Sequence, residues 1–179
     1  MSIVRDPSTG KGANVNDEGE LIVRAINESE LEHASILGQA YSWHAPTADI
    51  GAGDTMLFIK NLGDTPLILD RMVIIPGNVD TNYNIHLGRL TTPPDAIDVT
   101  GINLNPNFAD DADVHAVADE DAVADGSLVD VIHVLTATAS FLHPLTGIIL
   151  TKGVYIQINQ ESESTAGAVT IIGHFENPD

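Results

Sequence analysis

An all-β sandwich or barrel is the fold that this 179-residue sequence predicts. Three observations carry that expectation. Eight or nine short apolar runs recur at intervals of roughly 8–15 residues, the rhythm of a strand-rich domain. Gly, Pro, Asn and Asp punctuate them, each a residue that turns a chain. No long stripe of apolar residues has the 3.6-residue period of a helix, and no strand–helix–strand alternation appears. A hydrophobic fraction of 43% separates the chain from disordered acidic sequences, and its length suits one domain with its own core.

Residues 1–19 read as an extended N-terminal arm, because Ser8-Thr9-Gly10-Lys11-Gly12 and Asn16-Asp17-Glu18-Gly19 are turn-rich and aperiodic. Residues 20–179 then form a single β domain. Its first strand is expected over Glu20–Ile26. Ser29 and Glu32 have the spacing of a capping box, which permits a short helix, but an extended segment running to Trp43 is preferred. Thr55–Asn61 is a compact apolar strand bounded by glycines, and Leu62-Gly63-Asp64-Thr65 has the length of a hairpin turn. The next strand runs from Pro66 to Pro76 with Leu67, Leu69 and Val73 in phase. The prolines sit at its ends, where no ladder donor is needed. A strand follows over Asn82–Arg89. Two shorter strands are expected to flank a surface loop within residues 97–126. Ser127–Leu135, Gly147–Thr151, Val154–Gln160 and Ala168–Phe175 complete the set, the last two joined by a polar hairpin loop from Glu161 to Gly167.

Seven Lys and Arg against 26 Asp and Glu give a formal charge of −19. The seven cations are scattered, so direct nucleic-acid binding, which needs clustered Lys and Arg, is not expected. Anionic membranes repel such a chain, no apolar run is long enough to span one, and the N-terminus lacks an apolar signal segment. Membrane insertion is therefore not expected. Carboxylates hold water strongly, and salt screens their mutual repulsion, which fits a halophilic setting. With no cysteine, disulfides, thiol chemistry and Cys-bound zinc are excluded.

The acidic stretch Asp110, Asp111, Asp113, Asp119, Glu120, Asp121 and Asp125 offers the oxygen ligands a hard cation needs. It lacks the order of a calcium loop, and alanine and valine separate the acids. The expectation is a solvent-facing stretch with no specific metal site, and Asp110, Asp111, Asp113, Asp119 and Asp121 are the residues a calcium ion would use. His33, His44, His86, His115, His133, His143 and His174 form no H-x-H or H-E-x-x-H pair. His86, His133 and His174 lie inside strand candidates, so one sheet face has the opportunity to gather them; structural roles are the expectation for each. No serine has the setting of a nucleophile elbow, and no glycine run has phosphate-cradling spacing. No catalytic residue and no cofactor is assigned.

One arrangement extends over most of the chain. The polar segment Asp6-Pro7-Ser8-Thr9-Gly10-Lys11-Gly12 precedes Gly19-Glu20-Leu21-Ile22-Val23, then Gly38-Gln39-Ala40-Tyr41-Ser42-Trp43. Leu57-Phe58-Ile59-Lys60-Asn61 and Leu67-Ile68-Leu69-Asp70-Arg71 follow, and the chain closes on Lys152-Gly153-Val154-Tyr155-Ile156 and Gly173-His174-Phe175. This resembles virion structural proteins of tailed phages and of icosahedral haloarchaeal viruses, a group of single jelly-roll capsid or capsid-decorating proteins. The resemblance implies an antiparallel jelly-roll sandwich and a non-enzymatic role in a virion capsid. It also implies homo-oligomers, contacts with other capsid proteins, and no catalytic residues.

Two other readings use the same fold. A receptor- or glycan-binding head of a viral fibre or spike needs an aromatic cleft, and aromatics are only 4% of the chain. A cupin-like metal enzyme needs the H-x-H pair that the sequence lacks. In the structural reading, the arm reaches onto a neighbouring subunit. Ile3, Val4 and Val15 supply its apolar contacts, and Arg5 and Lys11 are drawn to the neighbour's carboxylates.

Overall fold

The computed structural model of the chain describes residues 2–5, 12–15, 29–47, 51–89, 97–120, 126–136, 140–163 and 167–176. The strand expected over Glu20–Ile26 lies outside them. In chain order the elements are β1 (Ser2–Arg5), β2 (Gly12–Val15), α1 (Glu30–Ile36), β3 (Ala40–Thr47), β4 (Thr55–Asn61), β5 (Leu67–Ile75) and β6 (Thr81–Gly88). They continue with β7 (Ile97–Asp98), β8 (Ile102–Asn103), β9 (Val114–Glu120), β10 (Ser127–Val134), β11 (Phe141–Leu150), β12 (Tyr155–Gln160) and β13 (Gly167–Phe175).

Two antiparallel sheets pack as a sandwich, one of six strands ordered β10-β6-β12-β4-β9-β7 and one of five ordered β11-β5-β13-β3-β8. Successive strands β3, β4, β5 and β6 alternate between the sheets, as do β10, β11, β12 and β13. The two halves pair in reverse: β3 with β13, β4 with β12, β5 with β11, and β6 with β10. The chain is thus one long antiparallel ribbon, rolled so that β5 also meets β13 and β6 also meets β12. That winding is the jelly roll. β9, β7 and β8 extend the sheets beside β4 and β3.

This winding corrects two sequence expectations. Residues 62–65 and 161–167 do not close hairpins, because β4 and β12 lie in one sheet while β5 and β13 lie in the other. The connection over residues 62–65 arches across the sandwich. Asn61, fully buried, secures this arch: its side-chain amide donates to the carbonyls of Thr65 at 2.8 Å and Leu150 at 2.7 Å. Its Oδ1 accepts from the Gly63 N–H at 3.0 Å. Leu62 and Gly63 also donate their N–H groups to the Asp113 carbonyl, so the arch is satisfied without a ladder.

Residues 30–36 are helical rather than the extended segment expected from the sequence. Ser29 caps the helix by accepting from the Glu32 N–H at 3.2 Å, and Glu30 and Glu32 occupy the first turn, where the helix dipole favours negative charge. Gly38, at φ 73°, then ends the helix and lets the chain turn into β3. Asn103 of β8 donates to the Gly38 carbonyl at 2.8 Å, and Asn105 just after it donates to that of Ile36 at 3.3 Å, so β8 and the loop that follows it supply donors to the helix C-terminus.

The core lies between the sheets and is built from alternate residues. On β5 the inward set is Leu67, Leu69, Met72 and Ile74, while Val73 is half-buried on the outer face. The sequence phase expected Val73 inside. An irregularity against β13, between Ile172 and Gly173, adds one residue to the β5 side and shifts the phase after Leu69. Trp43 and Tyr83 are the largest fully buried side chains of this core. A smaller cluster of Phe58, Val117 and Tyr155 is also fully buried, with the Phe58 and Tyr155 rings stacked 4.8 Å apart.

Candidate functional site

The structure does not gather the three strand histidines. His86 and His133 lie on β6 and β10 of the six-stranded sheet, and His174 lies on β13 of the other. Each of four histidines has a local partner instead. His174 Nδ1 lies 2.9 Å from Asp70 Oδ2, His143 Nε2 lies 3.0 Å from Asp130 Oδ2, His133 Nδ1 lies 2.8 Å from Asn82 Oδ1, and His44 Nδ1 lies 2.8 Å from Thr170 Oγ1. Among the described residues, no three His, Asp or Glu side chains come together as metal ligands.

The acidic stretch divides in two. Asp110, Asp111 and Asp113 are exposed in the loop before β9, as expected. Residues 114–120 are not loop but strand, and Ala116, Val117 and Ala118 are buried, because the small apolar residues between the acids face other strands. Asp119 belongs to β9 by its backbone, while its side chain and all of Asp121 lie outside the described residues. Asp111 and Asp113 border a cavity of about 320 Å³ with Gln39, Tyr41, Asp64 and Phe175. Tyr41 donates its hydroxyl to the Asp110 carbonyl at 3.2 Å. Burial first, and then the negative charges of Asp110 and Asp111, push the Tyr41 hydroxyl up from its ordinary value. Asp64 pairs with Lys152 at 2.8 Å, and this hydrogen bond holds the Lys152 ammonium above its ordinary value. Both groups are exposed, so the pair does little for stability.

Of the arm residues, Ile3, Val4 and Arg5 lie on β1 and Val15 on β2, and Lys11 lies outside the described residues. The two strands pair with each other, Ser2 opposite Val15 and Arg5 opposite Gly12, as a separate two-stranded sheet. The aperiodic reading of residues 1–19 missed this pairing, since four-residue strands are too short to show alternation.

A further surface emerges only from the sheet order. β10 and β11 are edge strands of the two sheets, and the Asp130–His143 contact at 3.0 Å joins them along one side of the sandwich. Leu128, Val129 and Val131 of β10 are exposed, as are Leu142 and Ile149 of β11 and Ile75 of β5. Leu142 pairs with Val73 and Ile149 with Ile68, both half-buried, so apolar side chains continue across the outer face of the five-stranded sheet. On the far side of that sheet α1 packs against β3 and β13. The signal was present in the sequence: residues 131–151 contain no Asp, Glu, Lys or Arg, in a chain with 33 such residues. Strand alternation alone disguised it, because a half-buried strand and an apolar outer strand look alike without the sheet order.

A scan against protein-family models gives no match. A search of curated proteins also finds no match.

Proposed function

We propose that the chain is a non-enzymatic structural protein of a virus particle, a jelly-roll subunit that forms or decorates an icosahedral shell. The observation that carries this reading is the exposed apolar surface on a strongly anionic molecule. Fifteen large apolar side chains are exposed among the described residues, although the chain's formal charge is −19. Exposed apolar side chains are costly in water, and where they cluster they mark a surface that another protein covers. The resemblance to capsid and capsid-decorating proteins points the same way, as does the eight-stranded winding.

In this reading the arm contributes register. An isolated two-stranded sheet with four residues per strand is marginal in water, so β1 and β2 need a surface to rest on. Arg5 and Lys11 steer that surface toward a neighbour's carboxylates, each exposed pair contributing about 0–1 kcal/mol. The test is assembly of the full chain and of a chain lacking residues 2–15. Sedimentation and electron microscopy across a range of NaCl concentrations should show regular oligomers or shells for the full chain. The truncated chain should form them less well or with irregular geometry. Equal assembly by both forms removes the arm from the mechanism, and a strictly monomeric full chain overturns the structural reading itself.

A further inference from the structure

We propose that Asp130 and His143 are a guard pair, set across the open side of the sandwich to keep strands of other chains from adding to its two edges. This role goes beyond the structural reading above and is the same whether or not the chain builds a shell.

The need for a guard comes from the edge sequences. Among the described residues β10 ends the six-stranded sheet and β11 ends the five-stranded sheet, so each presents a side of its backbone to which a strand can add. An edge strand is a template for another chain, most of all when it is apolar, rich in β-branched residues and nearly uncharged. Both edges fit. Leu128, Val129, Val131, Ile132, Val134 and Leu135 surround Asp130, which is the only Asp, Glu, Lys or Arg in residues 127–135. β11 carries none along its whole length.

The guard itself comes from register. In a regular strand Leu128 and Asp130, two residues apart, share a face. In β10 they do not. Leu128 lies opposite His86 and Asp130 opposite Ile85, and successive residues of β6 point to opposite faces. The extra residue is Val129, an insertion of the kind that re-aims the side chain beyond it. Ile85 is fully buried in the core between the sheets, so Asp130 is turned toward the inner side. His143 is turned the same way on β11, since it lies opposite Met72, which is also fully buried in that core. The two side chains meet, with His143 Nε2 at 3.0 Å from Asp130 Oδ2, and so bridge the gap between the sheets at its open side. The Asp130 side chain is still 47% exposed there, and the Phe141 ring stacks on that of His143 with centroids 6.3 Å apart. A strand added to either edge would point alternate side chains into this gap and strip water from the Asp130 carboxylate. Pro144 also removes a backbone donor from β11, and the pairing of that strand is irregular between Pro144 and Ile148.

The test is incubation of the dilute full chain near neutral pH and below its melting midpoint, read by thioflavin T fluorescence and by amide hydrogen exchange along β10 and β11. The double variant Asp130→Val/His143→Val should gain thioflavin signal roughly tenfold faster than wild type, because strand addition no longer desolvates a carboxylate. Its β10 or β11 amides should gain protection as strands add. His143→Lys keeps an inward charge beside Asp130 and should match wild type. Asp110→Val removes the same charge from an exposed loop and should also match wild type. If circular dichroism shows that the double variant has lost its fold, Asp130→Val takes its place; it leaves His143 standing and should still add strands faster than wild type. Wild-type rates in the folded double variant, or in Asp130→Val where that replaces it, overturn the guard role. Equal acceleration by Asp110→Val overturns it too, since lost charge rather than position is then responsible. So does equal acceleration by His143→Lys, which would show that an inward charge does not protect the edge.

Discussion

Single residues show where polarity is satisfied in the core and where it is not. Asn61 is completely buried, yet its amide and its oxygen have three backbone partners, so it holds an arch at little cost in desolvation. Tyr83 is the opposite case. It is fully buried, and its hydroxyl faces the Gly77 backbone without a hydrogen bond of good geometry. Burial pushes that hydroxyl up from its ordinary value of 10.0, and it does the same to Tyr41. The sign follows from which state ionises first. As the pH passes about 10 the unfolded chain loses these protons while the folded chain keeps them, so stability that is complete below that pH declines above it. Removing the unpartnered hydroxyl should matter little at neutral pH: Tyr83→Phe is expected within about 1 kcal/mol of wild type. The variant should also lose less stability between pH 9 and 11. Urea denaturation across that range checks both points, and an alkaline loss identical to wild type would show that Tyr83 does not titrate with unfolding.

At the scale of elements, the sequence was informative wherever strand identity depends on local pattern. The expected runs at Thr55–Asn61, Ser127–Leu135, Val154–Gln160 and Ala168–Phe175 coincide with β4, β10, β12 and β13 to within a residue or so. Glycine and proline mark their ends, and β-branched residues fill them. It was less informative wherever the answer depends on neighbours distant in sequence. A short polar turn looks the same in sequence whether the chain returns within one sheet or crosses to the other, so both connections resemble hairpins until the sheet order is known. The helix after Ser29 was visible as a capping box, but seven residues give too little periodicity to outweigh the strand that follows. The apolar outer face was hidden for the same reason, since only sheet order shows which face is covered. That order also sets local stability. Every residue of β4 and β12 is buried, and each strand has a neighbour on both sides. β7 and β8 are two residues long and terminate their sheets. Amide hydrogen exchange should therefore be slowest in β4 and β12 and fastest in β7 and β8, with β10 and β11 intermediate until a partner covers them. Equal protection of β7 and β4 would contradict this ranking.

For the molecule as a whole, the decisive quantity is the imbalance of 26 acidic against seven basic residues. Even with every Lys and Arg paired one for one, 19 of those acids have no Lys or Arg to offset them. Lys152 pairs with Asp64, and two further carboxylates, Asp70 and Asp130, face histidines. The carboxylates in excess repel one another, and unfolding relieves that repulsion by moving them apart. Salt shortens the reach of the repulsion, from about 10 Å at 0.1 M to about 3 Å at 1 M. Because the folded state holds the charges closer together, it gains more from screening than the unfolded chain does. The melting midpoint of dilute protein should consequently rise between 0.1 and 1 M NaCl by about 2–8 °C, the shift that about 1–2 kcal/mol produces in a domain of this size. Sodium chloride is the appropriate salt, because sulfate also strengthens apolar burial and would raise the midpoint of a neutral protein. Repeating the melt over a range of protein concentrations separates screening within one chain from association between chains. A rise that is the same at every concentration belongs to the fold's own charge, a rise that grows with concentration belongs to assembly, and no rise at any concentration would mean that the carboxylates lie too far apart to repel.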